Sequence, residues 1–210
     1  FHNLNDEDGI KLNNVRNVTI FNNTFYKNYK GIDCQTSNAN NITNNYFRDN
    51  TIGLFMNQCN DNTFRSNVLT GGDLGIQAGS FAQSNNNTIY HNQFSSMDYY
   101  YHDFYTYSVN YFNQSINSTS NYSQGNKWED YCGKGSDLNA DGYADAVSSS
   151  TAADWPFNET VSSHIYAPEG NVTDYGPQMH DCVTEVQLGS AGSSTTTSGS
   201  CAPARAPGIT

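Results

Sequence analysis

Charge is scarce in this sequence. Only 14% of its 210 residues are Asp, Glu, Lys or Arg, and nine basic side chains face 20 acidic ones, for a formal net charge of -11. Such a chain has no basic patch with which to hold nucleic acid or an anionic membrane surface. Long apolar runs are missing as well, so no stretch is predicted to span a bilayer as a helix. There is no initiator Met and no signal-like segment, which reads as a processed or excised piece. The five cysteines, Cys34, Cys59, Cys132, Cys182 and Cys201, include no CxxC pair, which argues against a zinc site or a thioredoxin-like motif. Their odd number leaves at least one thiol free or bonded to another chain, and the sequence does not fix the pairing.

What fills the chain instead is polarity without charge: 30 Asn and 40 Ser or Thr. Aromatic residues still reach 13%, more than disordered segments usually carry, so the chain is expected to fold. Asn-x-Ser/Thr sequons begin at Asn17, Asn22, Asn41, Asn86, Asn113, Asn117, Asn121, Asn158 and Asn171. Together with the acidity and a Ser/Thr-rich tail they point to an extracellular or cell-surface glycoprotein bearing N-linked glycans.

The organising feature is a repeat. Gly9, Gly31, Gly53 and Gly75 stand 22 residues apart, each followed by an aliphatic residue: Ile10, Ile32, Leu54 and Ile76. Two positions on come Leu12, Cys34, Met56 and Ala78. The same register carries Ile20, Ile42 and Phe64; Asn23, Asn45 and Asn67; and Phe25, Phe47 and Leu69. In the fourth unit these series return three residues late, as Ile89, Asn92 and Phe94, so Gly79 to Asn87 holds a three-residue insertion. The apolar residues alternate in pairs with period two, as strands with one buried face require, and no segment shows helical spacing. Short strands joined by Asn-rich turns at a fixed period predict an all-β fold, a right-handed parallel β-helix with about 22 residues per coil. Stacked coils lie about 4.8 Å apart, so equal offsets become rows. Aliphatic rows fill the interior, and an Asn row can hydrogen-bond from coil to coil. Asn and Gly also tolerate left-handed corners. Among exposed offsets, Lys11 is expected to lie on Asp33 and Lys27 on Asp49.

Gly-Ile-x-Leu followed by Asn-Val-Thr-Ile-x-Asn-Asn-Thr-Phe resembles the NosD-like repeats of right-handed parallel β-helices, also called the carbohydrate-binding and sugar-hydrolase group. Gly125-Asn126-Lys127-Trp128-Glu129-Asp130-Tyr131, the Asp137 to Asp145 loop and Trp155-Pro156 are similar to the segment that closes many such domains. The resemblance covers roughly residues 9 to 157. It implies the fold, but not one function: the family includes copper-enzyme accessory proteins, surface proteins and sugar-processing enzymes.

Candidate chemistry is sparse. Asp137, Asn139, Asp141 and Asp145 fall at positions one, three, five and nine of a calcium loop, with Gly142 at the sharp turn and the Tyr143 carbonyl at seven. Ser148 stands where the bidentate Glu would be, so a structural, weakly held Ca2+ is the expectation, against a metal-free loop held by Asx-turns. A polysaccharide hydrolase needs two carboxylates on one groove. Asp33, Asp49, Asp61 and Asp73 occupy four different offsets, so the chain is read as no enzyme. His2, His91, His102, His164 and His180 show no metal-ligand spacing, and Met56 sits on an interior row as core. Tyr105, Tyr107 and Tyr111 alternate within an aromatic stretch and are candidates for carbohydrate or partner contact, or for covering the end of the core.

The predicted organisation is β-helix coils over 1-94, a closing segment with the aromatic stretch and calcium loop over 95-157, an irregular extension over 158-188 and a Ser/Thr/Gly-rich tail over 189-210, where Cys201 is available for an intermolecular bond. Since an open β-helix end invites pairing, the first coil is expected to be covered by further residues or another subunit. The reading that follows is a non-catalytic structural or adhesive glycoprotein of an envelope, sheath, fibre or surface layer, partnered by itself or other surface proteins. The alternatives are a carbohydrate-binding or polysaccharide-cleaving β-helix protein and a periplasmic accessory protein of NosD type.

Overall fold

A computed structural model describes residues 7–79, 81–104, 108–112, 114–115, 123–129, 157–158, 165–166, 173–174 and 177. The first coil runs through β1 (Asp8–Asn13), β2 (Thr19–Phe21) and β3 (Thr24–Tyr26). The second runs through β4 (Lys30–Gln35), β5 (Asn41–Thr43) and β6 (Tyr46–Arg48), and the third through β7 (Ile52–Asn57), β8 (Thr63–Arg65) and β9 (Val68–Thr70). The fourth has β10 (Leu74–Ala78), β11 (Thr88–Tyr90) and β12 (Gln93–Ser95). A fifth coil begins with β13 (Tyr99–Asp103), makes an antiparallel excursion through β14 (Gln114–Ser115) and β15 (Ser123–Gln124), and returns at β16 (Lys127–Trp128). Beyond it, β17 (Phe157–Asn158) pairs antiparallel with β19 (Thr173–Asp174), while β18 (Ile165–Tyr166) joins β13.

Like strands pair in parallel from coil to coil and make three sheets. The first has order β1-β4-β7-β10-β13-β18, the second β11-β8-β5-β2 and the third β16-β12-β9-β6-β3. The rows read from the sequence are the registers: Ile10 pairs Ile32, Ile32 pairs Leu54, Leu54 pairs Ile76 and Ile76 pairs Tyr101. Strands of the second and third sheets are three or two residues long, with the central or last residue turned inward. Their inner rows are Ile20, Ile42, Phe64, Ile89 and Phe25, Phe47, Leu69, Phe94, Trp128. In the second of these, Phe25 stacks on Phe47 at 4.7 Å between ring centroids and Phe94 on Trp128 at 4.6 Å. Each such side chain, fully removed from water, contributes about 1.5–3 kcal/mol.

Three rows of asparagine hydrogen-bond in the direction of the stack. Asn23, Asn45, Asn67, Asn92 and Asn126 form one; Asn40, Asn62, Asn87 and Asn110 a second; Asn28 and Asn50 a third. Asn67 shows the logic. Its Oδ1 accepts from the Asn45 amide nitrogen at 2.9 Å and from Asn45 Nδ2 at 3.1 Å, while its Nδ2 donates to the Ile42 carbonyl and to Asn92 Oδ1, each at 3.0 Å. A carboxamide is the one uncharged side chain with two donors and two acceptor sites. Every buried polar atom of the rung is thereby satisfied. The second row gives way to Val18 in the first coil, where the Val18 amide still donates to Asn40 Oδ1 at 2.9 Å.

Corners and glycines exchange the roles expected of them. Rows of left-handed residues turn the chain: Asn17, Ala39, Asp61 and Asn86 at one corner, Asn22, Asn44, Ser66 and His91 at the next, and Lys27 and Asp49 at a third. Asn is only one of several residue types there, because backbone hydrogen bonds to the next coil, such as Asn22 N to Thr43 O and Lys27 N to Arg48 O, hold the conformation. The repeating glycines lie inside the first-sheet strands without positive φ. They are needed for space: a Cβ on Gly31 would sit 2.6 Å from the Gly53 carbonyl oxygen and 2.7 Å from the Phe47 ring.

Candidate functional site

The outer face of the first sheet gathers the polar chemistry. One outward row runs Lys11, Asp33, Phe55, Gln77 and His102, and a neighbouring row runs Asp8, Lys30, Ile52, Leu74 and Tyr99. Asp33 is 1% exposed although it lies on an outer face. Lys11 Nζ and Lys30 Nζ each stand 3.5 Å from its Oδ2, and Gln35 Nε2 donates to its Oδ1 at 2.8 Å. Lys30 also faces Asp8 at 3.9 Å and lies 4.4 Å above the centre of the Phe55 ring. Burial raises the Asp8 carboxyl above the usual aspartate range against the pull of Lys30, and the neighbouring Asp33 carboxylate pushes the same way.

The network continues along the stack. Asn57 Nδ2 donates to Gln35 Oε1 at 3.2 Å, and Asn57 Oδ1 accepts from the amide nitrogens of Phe81 and Ala82 at 3.2 and 3.0 Å. Asn57 thus fixes the start of the three-residue insertion, leaving the Phe81 ring 80% exposed. On β13 and just beyond it, Tyr99 stacks with His102 at 5.4 Å and His102 lies 4.0 Å from Phe104 between ring centroids. Burial lowers the basicity of His102.

This geometry sorts the expected residues. Lys11 meets Asp33 as its row requires. Lys27 makes no ion pair with Asp49 among the described residues: Asp49 takes the nearer Arg48 at 3.3 Å, and Lys27 lies over the Tyr26 ring at 5.1 Å. Cys34 and Cys59 form a disulfide in the core, joining the second coil to the third. Met56 is a core residue, 2% exposed. Tyr111 bridges Thr88 on the second-sheet side and is 51% exposed, whereas Tyr105 and Tyr107 lie outside the described residues. The calcium candidates Asp137, Asn139, Asp141, Tyr143 and Asp145 lie outside them too, as do Cys132, Cys182 and Cys201. Of the sequons, Asn17, Asn22 and Asn86 are exposed at corners and Asn41 is part-buried in β5. Asn158 is described only as backbone in β17, and Asn113, Asn117, Asn121 and Asn171 fall outside. The Asp8, Lys30, Asp33 cluster escaped sequence reasoning, although Asp8 and Lys30 are separated by the same 22 residues that pair Lys11 with Asp33.

Parallel coils forming three sheets around their inward rows and locked by asparagine rungs define the class: a right-handed parallel β-helix. The chain belongs to the family described as NosD, periplasmic copper-binding protein, whose model matches residues 2–133. That description places the family outside the cytoplasm. No curated protein and no solved structure matches the chain. Among the described residues, no three His, Cys, Asp or Glu side chains converge as a metal site would need. Cys34 and Cys59 are oxidised to each other, Met56 and Met97 are buried in the core, and His91 is bonded through Nε2 to Gln124 at 2.8 Å.

Proposed function

We propose that this chain is a non-catalytic structural or adhesive glycoprotein displayed outside the cytoplasm, a rigid β-helical unit of an envelope, sheath, fibre or surface layer. The observation that carries the reading is the state of Asp33. A carboxylate poised for acid-base or nucleophilic work presents a lone pair to a groove. Asp33 instead lies enclosed, its two oxygens engaged by two ammonium groups and an amide. The chemistry of this face goes into holding strands and the inserted loop in place. A core disulfide suits an oxidising compartment. Fractionation and electron microscopy of native material test the reading. The expected result is protein in the envelope or extracellular fraction, sedimenting as assemblies far larger than the 23.2 kDa chain. Monomer in the cytoplasmic fraction would overturn it.

A second reading, a carbohydrate-binding protein, is favoured by the Tyr99, His102 and Phe104 rings on the first-sheet side, since such rings suit sugar faces. Affinity for a polysaccharide panel that drops at least tenfold in Tyr99→Ala would support it, and equal affinity in the variant would count against it.

A further inference from the structure

We infer that N-linked glycans occupy Asn17, Asn22 and Asn86, that Asn41 is bare, and that the glycans cover exposed apolar side chains flanking the second sheet. This rests on the extracytoplasmic reading, because sequon chemistry acts on exported chains. A sequon is a weak signal by itself; the placement of these four carries the inference. Asn17 and Asn86 stand on one corner row, three coils or about 14 Å apart, and Asn22 stands on the corner at the other edge of the second sheet. All three are exposed, with φ of 57, 58 and 57 degrees respectively, and none makes a side-chain hydrogen bond among the described residues. A bulky polar group added at their amide nitrogens projects into water and costs no packing.

Asn41 differs in its place and its burial. It lies within β5, its Oδ1 is buried without a hydrogen bond, and so is the hydroxyl of Thr43, its sequon partner. Its register partners on both sides are Thr19 and Thr63, so a glycan there has neighbouring strands to clear that a corner does not.

The corners also explain otherwise unexplained exposure. Phe21, 57% exposed, immediately precedes Asn22. The backbone carbonyl of Val109, 50% exposed, accepts from the Asn86 backbone N–H at 2.7 Å, and Tyr111, 51% exposed, bridges Thr88, the threonine of that same sequon. Large apolar side chains beside an attachment point are covered by the C–H faces of the first sugars, which turns a sticky surface into a hydrated one.

Site-resolved glycopeptide mass spectrometry on the native protein, with disulfide mapping of the same digest, tests the occupancy. Glycan on most molecules at Asn17, Asn22 and Asn86, with Asn41 unmodified, is the expected pattern. Asn41 modified to the same extent would overturn the corner selectivity. Bare corners in protein whose Cys34–Cys59 bond is intact would overturn the inference while leaving the compartment reading standing; bare corners together with Cys34 and Cys59 as thiols would overturn both. For the covering role, Asn22→Gln is expected to increase binding of a hydrophobic-surface dye at least twofold with an unchanged β-rich far-ultraviolet spectrum. Unchanged dye binding would overturn that role.

Discussion

A single amide shows how this protein spends its polarity. Asn67 makes four hydrogen bonds to three other residues in two neighbouring coils, so truncating it to Ala leaves several buried donors and acceptors unmatched at once. The expected loss for Asn67→Ala is about 2–4 kcal/mol by denaturant unfolding. Asn17→Ala, at an exposed left-handed corner with no buried partners among the described residues, is expected to cost only about 1 kcal/mol. His102 is a residue through which acid is expected to act on stability. Its basicity is lowered by burial, so the folded state resists its protonation: this contribution to stability is present above the unfolded histidine pKa and is lost as pH falls through that value toward the folded one. Melting temperature should therefore decline between about pH 7 and pH 5, and His102→Gln should flatten that part of the profile. An unchanged slope in the variant would assign the acid response elsewhere.

At the scale of the element, the glycine inside each long strand sets how closely coils approach. In Gly53→Ala the new methyl would sit 2.6 Å from the Gly75 carbonyl oxygen and 3.0 Å from a Leu69 methyl, forcing the two coils apart. A loss of about 1–3 kcal/mol is expected from thermal unfolding. The strands were legible in the sequence because period two within a strand and period 22 between coils both mark inward positions, as Ile32 and Cys34 show against Leu54 and Met56. The Asn23 row was legible for the same reason. The second Asn row was not: Val18 takes its place in the first coil, and its steps from Asn40 to Asn62, Asn87 and Asn110 are 22, 25 and 23 residues, so no fixed period marks a ladder that is continuous in space. Asn126 is 34 residues from Asn92 because β14 and β15 intervene, yet it is the fifth rung and Trp128 the last ring of its row. The Gly-Asn-x-Trp pattern thus encodes one more turn of the same solenoid. The Cys34–Cys59 pairing was illegible because the two occupy different offsets, and only the corner between them brings their Cα atoms to 6.2 Å. The outer-face cluster was hidden by reading rows singly, since Lys30 joins two of them.

For the molecule as a whole, the disulfide ties consecutive coils through the core and closes a 25-residue separation. Reduction or Cys34→Ser with Cys59→Ser is expected to cost about 2–5 kcal/mol while preserving the β-rich far-ultraviolet spectrum, because the rungs remain. What such a body does outside the cytoplasm turns on whether its buried carboxylate is scaffold or catalyst. The measurement that decides this most directly is release of reducing ends or unsaturated uronates from a polysaccharide panel by the wild-type protein and by Asp33→Asn. The account predicts no release by either protein, with Asp33→Asn less stable to unfolding because Lys11 and Lys30 lose their shared partner. Turnover by the wild-type protein would contradict it, and disappearance of that turnover in a folded Asp33→Asn variant would assign it to Asp33.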